Sequence, residues 1–180
     1  MIQAKSAGYI GLSFAMISLN GKAIECELNE LNHNRGLHLV VINPENGKVE
    51  FAQIFDTHGT SELFDEFIDS EITVGHIVVA AVKDDAVGKG EVTSMSRKGV
   101  EFFMKLGSKE IEKLKYRQSF AFIGTYGLDH QDCNEKRGEN LKDEVTVAQM
   151  FGFKGINIST DALKADDEGG LVCNATFPLR

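Results

Sequence analysis

Tryptophan is absent from the 180 residues and proline occurs only twice, which excludes a proline-rich linker protein. Cysteine is scarce too: Cys26, Cys133 and Cys173 lie far apart and form no C-x-x-C pair. An odd, dispersed set does not suit a fully bridged secreted scaffold. Reduced thiols are therefore expected, with one bridge plus one free thiol as the alternative. No apolar run approaches the ~20 residues that a membrane helix requires, so no membrane insertion is expected. Basic residues are outnumbered, with 19 Lys and Arg against 27 Asp and Glu, for a net charge of −8. Such a balance argues against a nonspecific grip on nucleic acid or anionic lipid, which needs a positive surface, and leaves room only for a local basic patch.

What is present is ordinary globular usage, 42% hydrophobic and 26% charged, too apolar for a disordered chain. A domain of this size buries roughly 70% of its unfolded surface, so it needs no metal or disulfide to fold. Length favours one domain. Residues 1–127 carry the clear signals, and 128–180 read as a C-terminal extension packed on the same domain. The stretch Gly8–Leu19 imitates the apolar core of a signal peptide. Gly11, Ser13 and Ser18 interrupt it, however, and no A-x-A site follows, so it reads as a strand. With no leader legible, the expectation is a cytoplasmic or particle-associated chain, or a secreted one if a leader preceded it.

From Gly8 to Leu28 the pattern predicts two extended runs broken at Asn20-Gly21-Lys22, a tight-turn signal. Leu37–Asn43 and Val49–Phe55 form a hairpin across Pro44-Glu45-Asn46-Gly47. The first of these strands is apolar on both parities and should be covered on both faces. Thr60 or Ser61 can cap a helix with Leu63, Phe64, Phe67 and Ile68 inward. His76–Val82 reads as a buried strand and Lys83–Gly90 as a charged loop. A second helix is expected from about Thr93, with Met95, Phe102, Phe103 and Leu106 inward and Gly107 as its stop. Ser108 can cap a short turn carrying Ile111 and Leu114, and Ser119–Thr125 is the next strand. Asp129–Lys142 shows no period, and Glu144–Phe153 fits a strand or a short helix. Hairpins followed by alternating strands and helices point to an α+β domain. A parallel crossover joining His76–Val82 to the strand at 119–125 is the alternative.

The order of the short motifs resembles the interleukin-like EMT inducer family, also called the PANDER-like or GG domain. The matching residues are Asn20-Gly21-Lys22, Arg35-Gly36-Leu37-His38-Leu39-Val40-Val41, Asn46-Gly47-Lys48-Val49 and Phe55-Asp56-Thr57 with Gly59. They continue with Val78 to Asp85, Leu106-Gly107-Ser108 and Tyr116 to Gly124. This resemblance covers about residues 8–127. It implies two curved antiparallel β-sheets, sandwich-like, flanked by two or three helices. It also implies recognition rather than catalysis, because the same module binds carbohydrate in a glycosyltransferase stem and occurs in secreted signalling proteins. Carried over by position, it points to Arg35, Asp84, Asp85 and Arg117 as ligand-facing residues, with Lys83 and Tyr116 beside them. Gln118 and Phe120 stand where the family usually has Asp and Trp, and a Trp face is the better platform for a sugar ring.

That set makes chemical sense for a hydroxyl-rich ligand such as a glycan. Carboxylates accept from vicinal hydroxyls, and guanidinium groups donate in a fixed fork. The same residues also suit a structural ion pair, for instance Arg117 with Asp84. Three functions compete: a lectin-like glycan-binding module; a structural or protein-interaction component, cytokine-like or part of a surface or virion assembly and open to homo-oligomers; and a hydrolase or transferase using Asp84 and Asp85.

No catalytic constellation is legible, and neither a cofactor nor a metal is expected. Gly88-Lys89-Gly90-Glu91 lacks the P-loop spacing. His33, His38, His58, His76 and His130 have no metal-ligand spacing, and Asp129-His130-Gln131-Asp132-Cys133 reads as a polar loop. Glu62, Asp65, Glu66, Asp69 and Glu71 read as the solvated face of the first helix. Asn157-Ile158-Ser159 and Asn174-Ala175-Thr176 match the glycosylation sequon.

Overall fold

The computed structural model describes residues 1–8, 13–28, 34–70, 72–87, 95–127, 133–153, 163–165 and 171–173. Strand β1 (Ile2–Ala7) is followed by β2 (Phe14–Leu19), β3 (Lys22–Ile24) and β4 (Glu27–Leu28). The hairpin β5 (Gly36–Ile42) and β6 (Val49–Phe55) leads to helix α1 (Glu62–Ser70) and strand β7 (Ile77–Lys83). Helix α2 (Arg97–Lys105) and a 3-10 turn (Ile111–Lys113) precede β8 (Phe120–Thr125), β9 (Asn134–Arg137) and β10 (Glu144–Gln149). A separate two-stranded pair joins β11 (Leu163–Ala165) to β12 (Leu171–Cys173). The sequons at Asn157 and Asn174, the glycine loop 88–91, His33 and His130 lie outside the described residues.

The first ten strands make one curled, mixed sheet with two limbs. One limb runs β3-β2-β1-β10 and the other β4-β6-β5-β7-β8-β9. They join at a single parallel pairing, Ala7 with Lys83. The α+β expectation therefore stands. The two separate antiparallel sheets give way to one sheet, because the end of β1 is stitched into the second limb. There the Ser6 hydroxyl donates to Val82 O at 2.5 Å and accepts from the Phe120 N–H at 3.0 Å. The crossover alternative is overturned, since β7 and β8 pair antiparallel, Ile77 opposite Thr125.

Burial explains the strand assignments. All seven residues of β5 are buried, because both faces of that strand meet apolar layers. One core lies against the helices, where Phe64, Phe67, Phe102, Phe103 and Leu106 meet Leu37, Leu39, Val78 and Val82. The other lies between the limbs and joins Ile2, Ala4, Ile17 and Val147 to Val40, Ile42, Val79 and Ile123. Helix α2 begins at Arg97, later than expected, because Ser96 caps it by accepting from the Gly99 N–H. Gly107 ends it at φ +95°. Asn20 and Gly21, both at positive φ, make the predicted turn between β2 and β3. No described helix is long and apolar enough to cross a membrane.

Candidate functional site

Antiparallel order brings distant residues to one end of the second limb. Strand β5 starts where β6 and β7 end, with Gly36 opposite Lys83 and Leu37 opposite Phe55. Strand β8 starts where β7 ends, with Ala121 opposite Ala81. The segments flanking these strands, Arg35, 56–59, 84–87 and 115–118, therefore share a rim.

At this rim the predicted residues come together. The Arg35 guanidinium makes a two-bond fork with Asp56, Nε to Oδ1 at 2.9 Å and Nη2 to Oδ2 at 3.2 Å. Asp56 holds Arg35 yet more firmly in its charged form, and the nearby charges of Asp84 and Asp85 add to the effect. Asp85 is buried and joins three segments. Its Oδ1 accepts from the Arg117 N–H at 2.9 Å and the Val87 N–H at 3.2 Å, and its Oδ2 lies 2.5 Å from His58 Nδ1. An ionised carboxylate only accepts, so the imidazole carries its hydrogen on Nδ1 there. The Thr57 hydroxyl donates to Ala86 O at 2.9 Å and ties the same two loops again.

Asp84 and Arg117 face each other more loosely, Oδ1 to Nε at 3.6 Å, longer than a hydrogen bond. Both hold left-handed backbone, φ +61° and +59°, a conformation that non-glycine residues adopt at a cost. The Arg117 guanidinium lies 5.0 Å from the centre of the Tyr116 ring, within cation–π range. Two glycines permit the close approach of the segments. An added Cβ at Gly36 would sit 2.3 Å from Phe55 O, and one at Gly8 would sit 2.2 Å from Arg117 O.

The charges are layered. The side chains of Arg35, Arg117 and His58 are 33%, 26% and 27% exposed, while those of Asp56 and Asp85 are 8% and 2%. Asp84, 26% exposed, is the carboxylate of the set that reaches solvent. Lys83 ends β7 beyond the buried Val82, and its charge acts on His38, whose alternate β5 neighbours Val40 and Ile42 face the core between the limbs. Burial first, and Lys83 second, depress the His38 imidazole to about 4.

Sequence reasoning missed Asp56 and His58, although the Phe55-Asp56-Thr57 match pointed to that turn. The departures at 118 and 120 also acquire a different meaning. Phe120 is fully buried and packs on Phe103 and Phe122, so it is a core residue and no loss of a sugar-stacking face. Gln118 is buried as well and bridges Lys115 N–H, Arg137 and Glu139 O. A cavity of about 270 Å³ opens elsewhere, along β6, lined by Glu25, Glu27, Glu50, Phe51 and Gln53 among others, and shares no residue with the rim. Among the described residues, no group of three His, Cys, Asp or Glu is placed to hold a metal ion.

Comparison with known proteins identifies the family. The chain is 32% identical over 110 residues to the human cell surface hyaluronidase CEMIP2, covering 59% of this chain and 8% of that protein. It is 29% identical over 113 residues to human protein FAM3A, covering 62% of this chain and 46% of the relative. Against rat protein FAM3C it is 28% identical over 113 residues, covering 62% and 47%. The chain thus spans about half the length of the FAM3 relatives. The model of the interleukin-like EMT inducer family matches residues 35–128, from the first arginine of the rim to just beyond β8 and over more than half of the chain. The chain belongs to the interleukin-like EMT inducer family.

Proposed function

We propose that the chain is a non-catalytic recognition module that meets a protein partner at the rim of Arg35, His58, Asp84, Tyr116 and Arg117. The layering of charge carries this reading. Acid/base or nucleophilic work needs an available carboxylate, yet Asp85 already accepts from three groups and Asp56 is engaged in the fork with Arg35. The hydrolase or transferase alternative would rest on Asp84, which leans on Arg117. Arginine and tyrosine on a rigid, preformed base are the residue types that dominate protein interfaces. Family membership supports the same class, since its description names an interleukin-like inducer. A second copy of the chain is one such partner, and light scattering at high concentration decides that case.

A second reading gives the rim a glycan or another hydroxyl-rich ligand. One observation favours it: a donor fork, an acceptor and an aromatic face stand together in Arg117, Asp84 and Tyr116.

Affinity capture followed by saturation binding, with wild type beside the double variant Arg35→Ala/Arg117→Ala, separates the readings when a glycan array is probed in parallel. The protein reading predicts a captured partner whose Kd weakens about tenfold or more in the variant, with a blank array. Array signals that vanish in the variant would transfer the rim to the glycan reading. Equal behaviour of both proteins on both platforms would reject the rim.

A further inference from the structure

Beyond the arginines, the rim holds a group that the family match does not assign. His58 Nδ1 is taken by Asp85, and no described residue bonds its Nε2. The ring is part-exposed, while its anchor is buried. Asp85 also holds the Arg117 amide, so one carboxylate fixes His58 and the turn that carries the guanidinium. The second-ring-nitrogen pattern is that of an imidazole whose orientation and tautomer are set from beneath, with Nε2 left for a ligand.

The charge balance decides what that ligand is. Around His58 stand Asp84 and Asp85 from the loop after β7, Tyr116 and Arg117 from the turn before β8, and Arg35 with Asp56 from the starts and ends of β5 and β6. Two arginines against three aspartates leave the cluster one charge negative while His58 is neutral, and the cluster repels anions. Protonation cancels that charge and adds an N–H donor beside the part-exposed Arg35 and Arg117, against one part-exposed carboxylate, Asp84. Three part-exposed donors against one part-exposed carboxylate favour an anion over a cation.

We propose that His58 is the specificity-determining residue of the rim, an Asp85-positioned imidazole that admits an anionic group (carboxylate, sulfate or phosphate) on the partner as the pH falls. This inference rests on the rim being a recognition surface. The local anion site sits on a chain with a net charge of −8, so the bulk field opposes it and the short-range donors must supply the binding.

The test is a titration of the intact chain with sodium sulfate at constant ionic strength, at pH 8 and pH 5.5, read by NMR on the Arg117 amide and the His58 ring. Sodium acetate serves as the carboxylate probe. The expected result is saturable sulfate binding that tightens at least fivefold at the lower pH. In His58→Gln the pH dependence is lost. In His58→Arg, which carries a fixed positive charge, binding at pH 8 approaches the wild-type level at pH 5.5. An amide spectrum matching wild type away from the rim certifies that each variant is folded. The same pH dependence in His58→Gln, or no saturable response in the wild type at either pH, overturns the assignment of His58. Neither result touches the broader recognition reading, which is decided by the arginine variants and the captured partner.

Discussion

Asp84 and Asp85 are adjacent in sequence and opposite in role. Asp85 is a buried tie between three segments, so Asp85→Ala strands two backbone N–H groups and an imidazole. A loss of about 3 kcal/mol in urea denaturation is expected. Asp84 is part-exposed and sits at φ +61°, where glycine is at ease, so Asp84→Gly should change stability by less than about 1 kcal/mol. His38 gives a pH signature. Its folded value of about 4 lies below the ordinary 6.5, so the unfolded chain takes up a proton that the folded one refuses. Stability is intact above pH 6.5 and falls by roughly 3 kcal/mol as the pH drops towards 4. The buried Nε2 of His38 has no hydrogen-bond partner among the described residues, so His38→Phe should flatten that slope without a loss at pH 7, measured by urea midpoints across the range. Sequence named Arg35, Asp84, Asp85, Tyr116 and Arg117 through family likeness. It did not disclose that Asp56 and His58 are their partners, because pairing across loops depends on strand register.

Elements were legible where burial is strong on both faces. The runs in β5, β7 and β8 are apolar and β-branched or aromatic, and their boundaries fall within a residue or two of the pattern. Both helices followed from their apolar stripes and Gly107. Four strands escaped: β1, β9 and the paired β11 and β12. In β1 the residues Lys5 and Ser6 break the apolar signal, yet Ala4 and Ser6 are buried because neighbouring strands cover both edges. In β9, Asn-Glu-Lys-Arg carries no apolar residue at all and exists by pairing its backbone with β8. The polar joint at the end of β1 is the element most open to test. Ser6→Ala removes partners from the buried Val82 carbonyl and Phe120 amide and should lower stability by about 2 kcal/mol in thermal or urea unfolding. Gly8→Ala forces the end of β1 away from Arg117 O, a strain of about 1–3 kcal/mol, and should displace the Arg117 amide resonance as well.

For the whole molecule, the α+β class was readable and the single curled sheet was not. Periodicity reports which faces are buried, and two apolar faces are common to a pair of sheets and to one sheet folded on itself. The distinction rests on Ala7 beside Lys83 and on one buried serine, too local to leave a pattern. The antiparallel order of the second limb leaves four segment ends at one rim, and the proposed function depends on that convergence. Hydrogen–deuterium exchange on the chain bound to its captured partner tests it most directly. The account predicts new protection concentrated in 56–59, 84–87 and 115–118, with the outer faces of β1, β2 and β10 unchanged. Protection on those outer strands, with the rim exchanging as it does in the unbound chain, would contradict it.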